Sequence, residues 1–232
     1  MCSRYSLTSP PEAVRAYFKL AEVPDYPPRY NIAPTQPVAI IRQDFKGQHE
    51  FALARWGLIP GWVKDPREFA TLINARAESA PGKPSFRAAL RHRRCLVPTN
   101  GFYEWTGRAG HKTPHLIRRP GAALMAFAGL WEHWLGADGS EFDTMAILTA
   151  AANATVSAVH DRMPVIMAER DFDRWLECRG GSAEGIGDLL QPEPADLLEI
   201  VTVSPKVSNF RNEGPDLWTP ATPPAPPDPQ LL

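Results

Sequence analysis

The chain begins MCSRYS, and its second residue carries the most distinctive chemistry in the sequence. Once Met1 is removed, Cys2 presents an α-amine and a thiol on adjacent carbons, a 1,2-aminothiol that no internal cysteine can imitate. Such a pair captures aldehydes. With reference pKa values of ~7.7–8 for the amine and ~8.5 for the thiol, roughly one amine in seven is neutral at pH 7 without any tuning. The plainer reading is a small residue that merely lets an aminopeptidase remove Met1, on a chain end too mobile to carry structure. A cysteine is reactive only where its surroundings make it so.

Three other stretches carry groups suited to proton transfer or anion binding. In RRCLVPTNGFYEWTG, strand alternation sets Glu104 opposite to Tyr103 and Trp105 and on the face of Phe102. A carboxylate beside apolar rings has its charged form disfavoured, which suits proton transfer near neutrality; the alternative is an outward glutamate on an edge strand. In SAVHDRMPVIM a β-like run ends at His160-Asp161-Arg162, and Pro164 blocks its continuation. His160 therefore stands at a strand end, where sites are often built, although a satisfied surface histidine fits the same pattern. In LINARAES, Asn74 reads first as a turn or helix-cap residue, although its amide could also orient a substrate hydroxyl or phosphate. Arg76 lies two residues on, and Arg4 and Arg162 sit two residues from Cys2 and His160. That recurrence suggests a polyanionic substrate.

Further candidates are less specific. Lys83 to Arg94 holds five basic residues and no acidic one, and a helix there puts Arg87, Arg91 and Arg94 on one face. Such a stripe could track a nucleic-acid backbone or simply face solvent. In RWGLIPGWVKD, Trp56 and Trp62 could stack on bases, against the commoner use of tryptophan in cores. The histidines lack metal-ligand spacing, and Cys2, Cys95 and Cys178 form no C-x-x-C, so neither a metal site nor a disulfide framework is expected. No Walker A, dinucleotide fingerprint or G-x-S-x-G occurs, and no cofactor is expected.

The elements that must position these groups can be read from composition and punctuation. The 232 residues, 44% apolar, allow a sizeable core, and a formal charge of −1 gives no whole-molecule argument for nucleic acid or membrane surfaces. The first twenty residues lack an apolar h-region and the longest apolar run, AALMAFAGLW, is too short to span a bilayer, so a soluble intracellular protein in a reducing compartment is expected. Ser9-Pro10-Pro11-Glu12 reads as a helix start, with Ser9 as N-cap, Pro10 at the first position and Val14, Tyr17, Phe18 and Ala21 on one face. Two more helices are expected: SFRAALRHRRC, with Ser85 as cap and Phe86, Ala89 and Leu90 inward, and ERDFDRWLEC, with Phe172, Trp175 and Leu176 inward. Between them lie PVAIIRQ, EFALARW, CLVP, GFYEW, PHLIRR, ALMAFAGLW, FDTMAILTA and LEIVTVS, all strand-like and bounded by turn residues. Strands dominate without alternating with helices, so the expected fold is α+β, a single domain over 1–218 with a curved, barrel-like, mainly antiparallel sheet and peripheral helices. Residues 219–232 read as a proline-rich, disordered tail.

Taken together, MCSR, YNIAPTQPV, RWGLIPGW, INARAES, RRCLVPTNGFYEW, FAGLWE, ILTAAAN, VHDRMP and the VSPKVSN segment resemble the SRAP family, the SOS response-associated peptidases or abasic site processing proteins. The resemblance spans almost everything but the tail. It implies a monomer with a groove for single-stranded DNA, in which the matching cysteine, after loss of Met1, bonds the ring-opened aldehyde of an abasic site as a thiazolidine. Carried over by motif, Cys2 is the nucleophile, Asn74 an orienting group, Glu104 a proton-transfer residue near the amine and His160 an acid/base for sugar opening and reversal. Arg4, Arg76 and Arg162 match phosphate-contacting positions, and Pro34 and Trp62 match positions lining the DNA path. That substrate implies a cytoplasmic, nucleoid-associated location. Two departures stand out: Ser3 replaces the family's usual glycine, and Val63 a frequent aromatic, the first bearing on rate and the second on base unstacking. A thiol or N-terminal-nucleophile peptidase and a non-covalent reader of modified bases remain as competing activities.

Overall fold

The structure is a computed structural model that describes residues 2–108 and 110–221. Its described strands, in chain order, are β1 (Tyr5–Leu7), β2 (Arg29–Ile32), β3 (Pro37–Gln43), β4 (His49–Trp56), β5 (Asn74–Arg76), β6 (Arg94–Thr99), β7 (Gly101–Arg108), β8 (His111–Arg118), β9 (Met125–Leu135), β10 (Glu141–Ala151), β11 (Arg162–Pro164) and β12 (Glu199–Thr202). The helices are α1 (Pro11–Phe18), α2 (Arg87–His92) and α3 (Phe172–Leu176).

All eight strand-like stretches are strands, and five of them close a barrel. The ring runs β10–β4–β3–β6–β9 and back to β10, antiparallel at every step except β10–β4. Strand β6 is buried along its whole length, because α3 covers it from outside: the Trp175 indole donates to the Cys95 carbonyl at 2.8 Å. A strand covered on both faces reads as a continuous apolar run, which is why CLVP shows no alternation. The second sheet, β12–β8–β7–β1–β2, is antiparallel throughout. Its β7 has a core on each side. Phe102 enters the main core with Tyr5, Trp56 and Phe127, while Tyr103 enters a smaller one with Leu116, Val207 and Leu217. Burying aromatic side chains of this size contributes about 1.5–3 kcal/mol each, so β7 and the short β1 beside it are held firmly from both faces.

Several local expectations are corrected. Helix α1 starts one residue later than Ser9 would cap: Pro10 is the N-cap, no side chain caps it, and Ser9 instead bonds Asn100 through its N–H and hydroxyl. The helix stops at Lys19, which has a left-handed φ of 55°, so Ala21 falls beyond it and is exposed. In α2, Phe86, Ala89 and Leu90 point inward as expected, yet Phe86 rather than Ser85 is the N-cap. Arg94 leaves the expected basic stripe altogether. It lies buried in β6, donating to the carbonyls of Leu90, Trp175, Glu177 and Ser182, which close the chain around α3. Past residue 218, Pro220 still bridges to Val203 and the Ala221 N–H bonds the Thr202 carbonyl at 2.9 Å; the expected tail from 222 onward lies outside the described residues.

Candidate active site

Three short strands that carry no alternating pattern build the site. Strand β1 pairs with β7 through Tyr5↔Phe102, and the Tyr103 N–H donates to the Arg4 carbonyl at 3.0 Å. The residues ahead of β1 are thereby laid along β7. Strand β5 joins β10 in parallel, Asn74 opposite Ile147 and Arg76 opposite Thr149. Strand β11 joins the same end of β10 from its other edge, Arg162 opposite Ala151. The far end of β10 therefore gathers Asn74, Arg76, His160 and Arg162 from segments separated by some 90 residues of chain.

Cys2 is fully buried in the main core. Its carbonyl accepts a hydrogen bond from Asn74 Nδ2 at 2.7 Å, and its Sγ lies 3.7 Å from the Arg4 carbonyl. Burial first, and then the negative charge of Glu104, push the Cys2 thiol far above its ordinary pKa. Asn74 has Oδ1 buried with no hydrogen-bond partner among the described residues, an acceptor available to a substrate hydroxyl or amine. Glu104 is buried, 4% exposed, as alternation along β7 places it. Burial raises its pKa above the usual carboxylate range, while positive charge nearby, His160 included, pulls the other way.

His160 comes after a turn of 3-10 helix and precedes β11, so the strand lies beyond it rather than before it as the sequence suggested. Its Nδ1 accepts the Arg162 N–H at 2.9 Å and also lies 2.9 Å from Asp161 Oδ1. A backbone N–H can only donate, so Nδ1 is the acceptor in the contact with Arg162.

The three arginines differ in availability. Arg4 is half-buried, with Nη1 donating to Asn31 Oδ1 at 2.7 Å and to the Val207 carbonyl at 3.0 Å, and its guanidinium stands 5.6 Å over the Trp105 ring. It borders a groove with Ser3, Trp105 and Lys112. Arg76 is exposed. Arg162 forks onto Glu78 at 2.6 and 2.9 Å. Pro34 is half-buried in the turn before β3, where Thr35 adopts a left-handed φ of 71° and donates to the Trp56 carbonyl. Trp62 is 60% exposed and packs edge-on against Phe69 at 5.5 Å. Trp56, the other stacking candidate, is fully buried and bonds the Ile73 carbonyl.

Both departures from the expected motifs are structurally mild. Ser3 lies outside the positive-φ region, so a glycine is not required there. Val63 points into a small core with Ile59 and Trp134. Two residues escaped the sequence reading. Asn31 accepts from Arg4 and donates to the carbonyls of Val207, Asn209 and Asn212, tying VSPKVSN to the chain start; Glu78 lies within the INARAES motif itself. Each motif was visible, but its partner lies far along the chain. Among the described residues no cluster of His, Cys, Asp and Glu could hold a metal ion, and no helix is long and apolar enough to cross a membrane.

Known proteins are similar to this chain in sequence and fold. The family described as SOS response associated peptidase (SRAP) matches residues 1–210. The abasic site processing protein YoqW of Bacillus subtilis is 38% identical over 94% of this chain and 98% of its own. The abasic site processing protein HMCES of Gallus gallus is 30% identical over 84% of this chain and 67% of its own. A crystal structure of a protein from Bacteroides thetaiotaomicron superposes with a TM-score of 0.82 at 25% identity, covering 95% of this chain and 100% of that one.

Proposed function

The chain belongs to the SOS response associated peptidase family, and from that premise we propose that it processes abasic sites by bonding them covalently in single-stranded DNA. The reacting group is the aminothiol of Cys2, uncovered by an aminopeptidase or by one self-directed cleavage of the Met1–Cys2 bond. The observation that carries this reading is the Asn74 amide fixing the Cys2 carbonyl at 2.7 Å beside the buried Glu104 carboxyl.

The chemistry balances around Glu104. The neutral amine adds to the C1′ aldehyde of the opened sugar and gives a carbinolamine. Glu104, whose pKa burial raises, gives its proton to the hydroxyl, which leaves as water, and an iminium remains. The Cys2 sulfur then adds to the iminium carbon while its proton returns to the Glu104 carboxylate. A five-membered thiazolidine results, with one water released. Because nitrogen and sulfur share one residue, the second step needs almost no further ordering; effective molarities of such steps reach about 10⁵ M or more. The saturated ring lacks the iminium that drives β-elimination, so the strand stays intact. Asn74 orients the sugar, His160 moves a proton at the ring oxygen when the sugar opens, and Arg76 and Arg162 face the phosphates. Arg4 braces the chain end, and Pro34 and Trp62 border the strand. The substrate implies an intracellular, nucleoid-associated protein.

A peptidase acting on other chains through Cys2 is disfavoured by the same burial. The thiolate is the nucleophile of such enzymes, and here the thiol is pushed far above its ordinary pKa. An amine that attacks first has no such requirement.

Protein freed of Met1, mixed with an abasic oligonucleotide, should give a shifted band on a denaturing gel and an intact mass equal to the sum of the two less one water. Cys2→Ala should give neither. An undiminished band from Cys2→Ala, or turnover of peptide libraries by the wild type without any crosslink, rejects the reading.

A further inference from the structure

Arg162 opens β11 with a single reachable edge. Its Nε is buried without a hydrogen-bond partner among the described residues, and Nη2 donates to the Thr149 carbonyl at 2.6 Å. The Nη1/Nη2 edge is taken by Glu78, in the two-oxygen geometry that a phosphate also offers a guanidinium. The pair is 84 residues apart in sequence and meets because Glu78 lies just past β5 and Arg162 starts β11, both attached to the end of β10. The two partners are unequally anchored. The Arg162 side chain is 13% exposed and Glu78 56%. Glu78 can swing into water while Thr149 still holds the guanidinium in place. The Arg162 hydrogen bonds, and then the charges of Arg162 and Arg76, keep Glu78 below the usual carboxylate range, so it is ionised whenever the protein meets DNA.

Resting on the reading that this chain binds single-stranded DNA, we propose that Glu78 is an internal stand-in for a backbone phosphate. A phosphate reaches the Arg162 fork only by displacing Glu78, so Glu78 sets the affinity and the salt dependence of strand binding. Until displaced, it keeps a preorganised guanidinium from other polyanions. The opposite role, a brace that aims Arg162 at DNA, gives the opposite sign when the carboxylate is removed.

Fluorescence anisotropy on a lesion-free oligo-dT strand separates the two. Glu78→Gln should bind roughly threefold to tenfold tighter at low salt, and its log affinity should fall more steeply with log salt by about 0.7, the value for one single-strand phosphate contact. Glu78→Ala must show the same gain, which guards against a folding defect of one variant. In an Arg162→Gln background the gain should vanish. Weaker or unchanged binding by both Glu78 variants, or an equal gain without Arg162, overturns the proposal. Crosslinking of an abasic oligonucleotide by the wild type reads the underlying function separately. Its absence defeats that reading, whereas normal crosslinking with Glu78 variants that bind no tighter defeats only this one.

Discussion

Cys2 is buried and burial disfavours ionisation of its thiol, so in the proposed reaction its nitrogen attacks first, with sulfur as the second partner. Glu104 is then the group whose protonation matters most. Its folded pKa is raised by burial, so between the ordinary glutamate value and that raised value the folded protein holds a proton the unfolded chain has lost. Stability contributed by this group is full below the ordinary value and falls as pH rises through the window. Glu104→Gln removes that slope. Urea midpoints measured from about pH 4 to about pH 8 should decline less for the variant than for the wild type, while crosslinking slows by about 10²-fold. A variant with the wild-type pH profile of stability would show that Glu104 is not protonated beyond the ordinary range.

At the level of elements, the site depends on β10, which β9 must hug closely on one side while β6 lies on β9's other. Gly129 of β9 sits opposite both Cys95 and Ile147. A Cβ there would stand 2.8 Å from Cys95 Sγ and 3.1 Å from Val97 Cγ2. Gly129→Ala should therefore destabilise by about 1–3 kcal/mol through overpacking, lowering the melting temperature by several degrees. Cys95→Ala in the same chain should recover part of the loss. Additive losses in the double variant would mean that the clash lies elsewhere.

Across the whole molecule, a formal charge of −1 supplies no long-range attraction for DNA, so binding rests on where individual arginines are held. Arg4 and Arg76 should separate cleanly in this respect. Arg4→Gln orphans Asn31 Oδ1 and removes one of the two donors to the Val207 carbonyl, at a cost of about 1–3 kcal/mol in denaturant unfolding. Arg76→Gln, at an exposed position, should leave unfolding unchanged, weaken oligo-dT binding, and flatten its salt dependence by about 0.7. Equal effects of the two substitutions on melting would remove this distinction.

Local pattern alone determined the longer strands, the inward faces of α2 and α3, and the burial side of Glu104, because alternation and turn residues record which side of an element is apolar. It also marked Cys2, whose chemistry comes from its place in the chain. Tertiary structure decided the rest. Strands β1, β2, β5 and β11 are three or four residues long and exist only because neighbouring strands offer them an edge. The same packing turned Arg94 and Val63 inward, gave Ser9 to Asn100 rather than to α1, and put Glu78 on Arg162. A side chain's type limits what it can bind, but which partner it meets is settled when distant segments close over a shared core, and no local spacing encodes that choice.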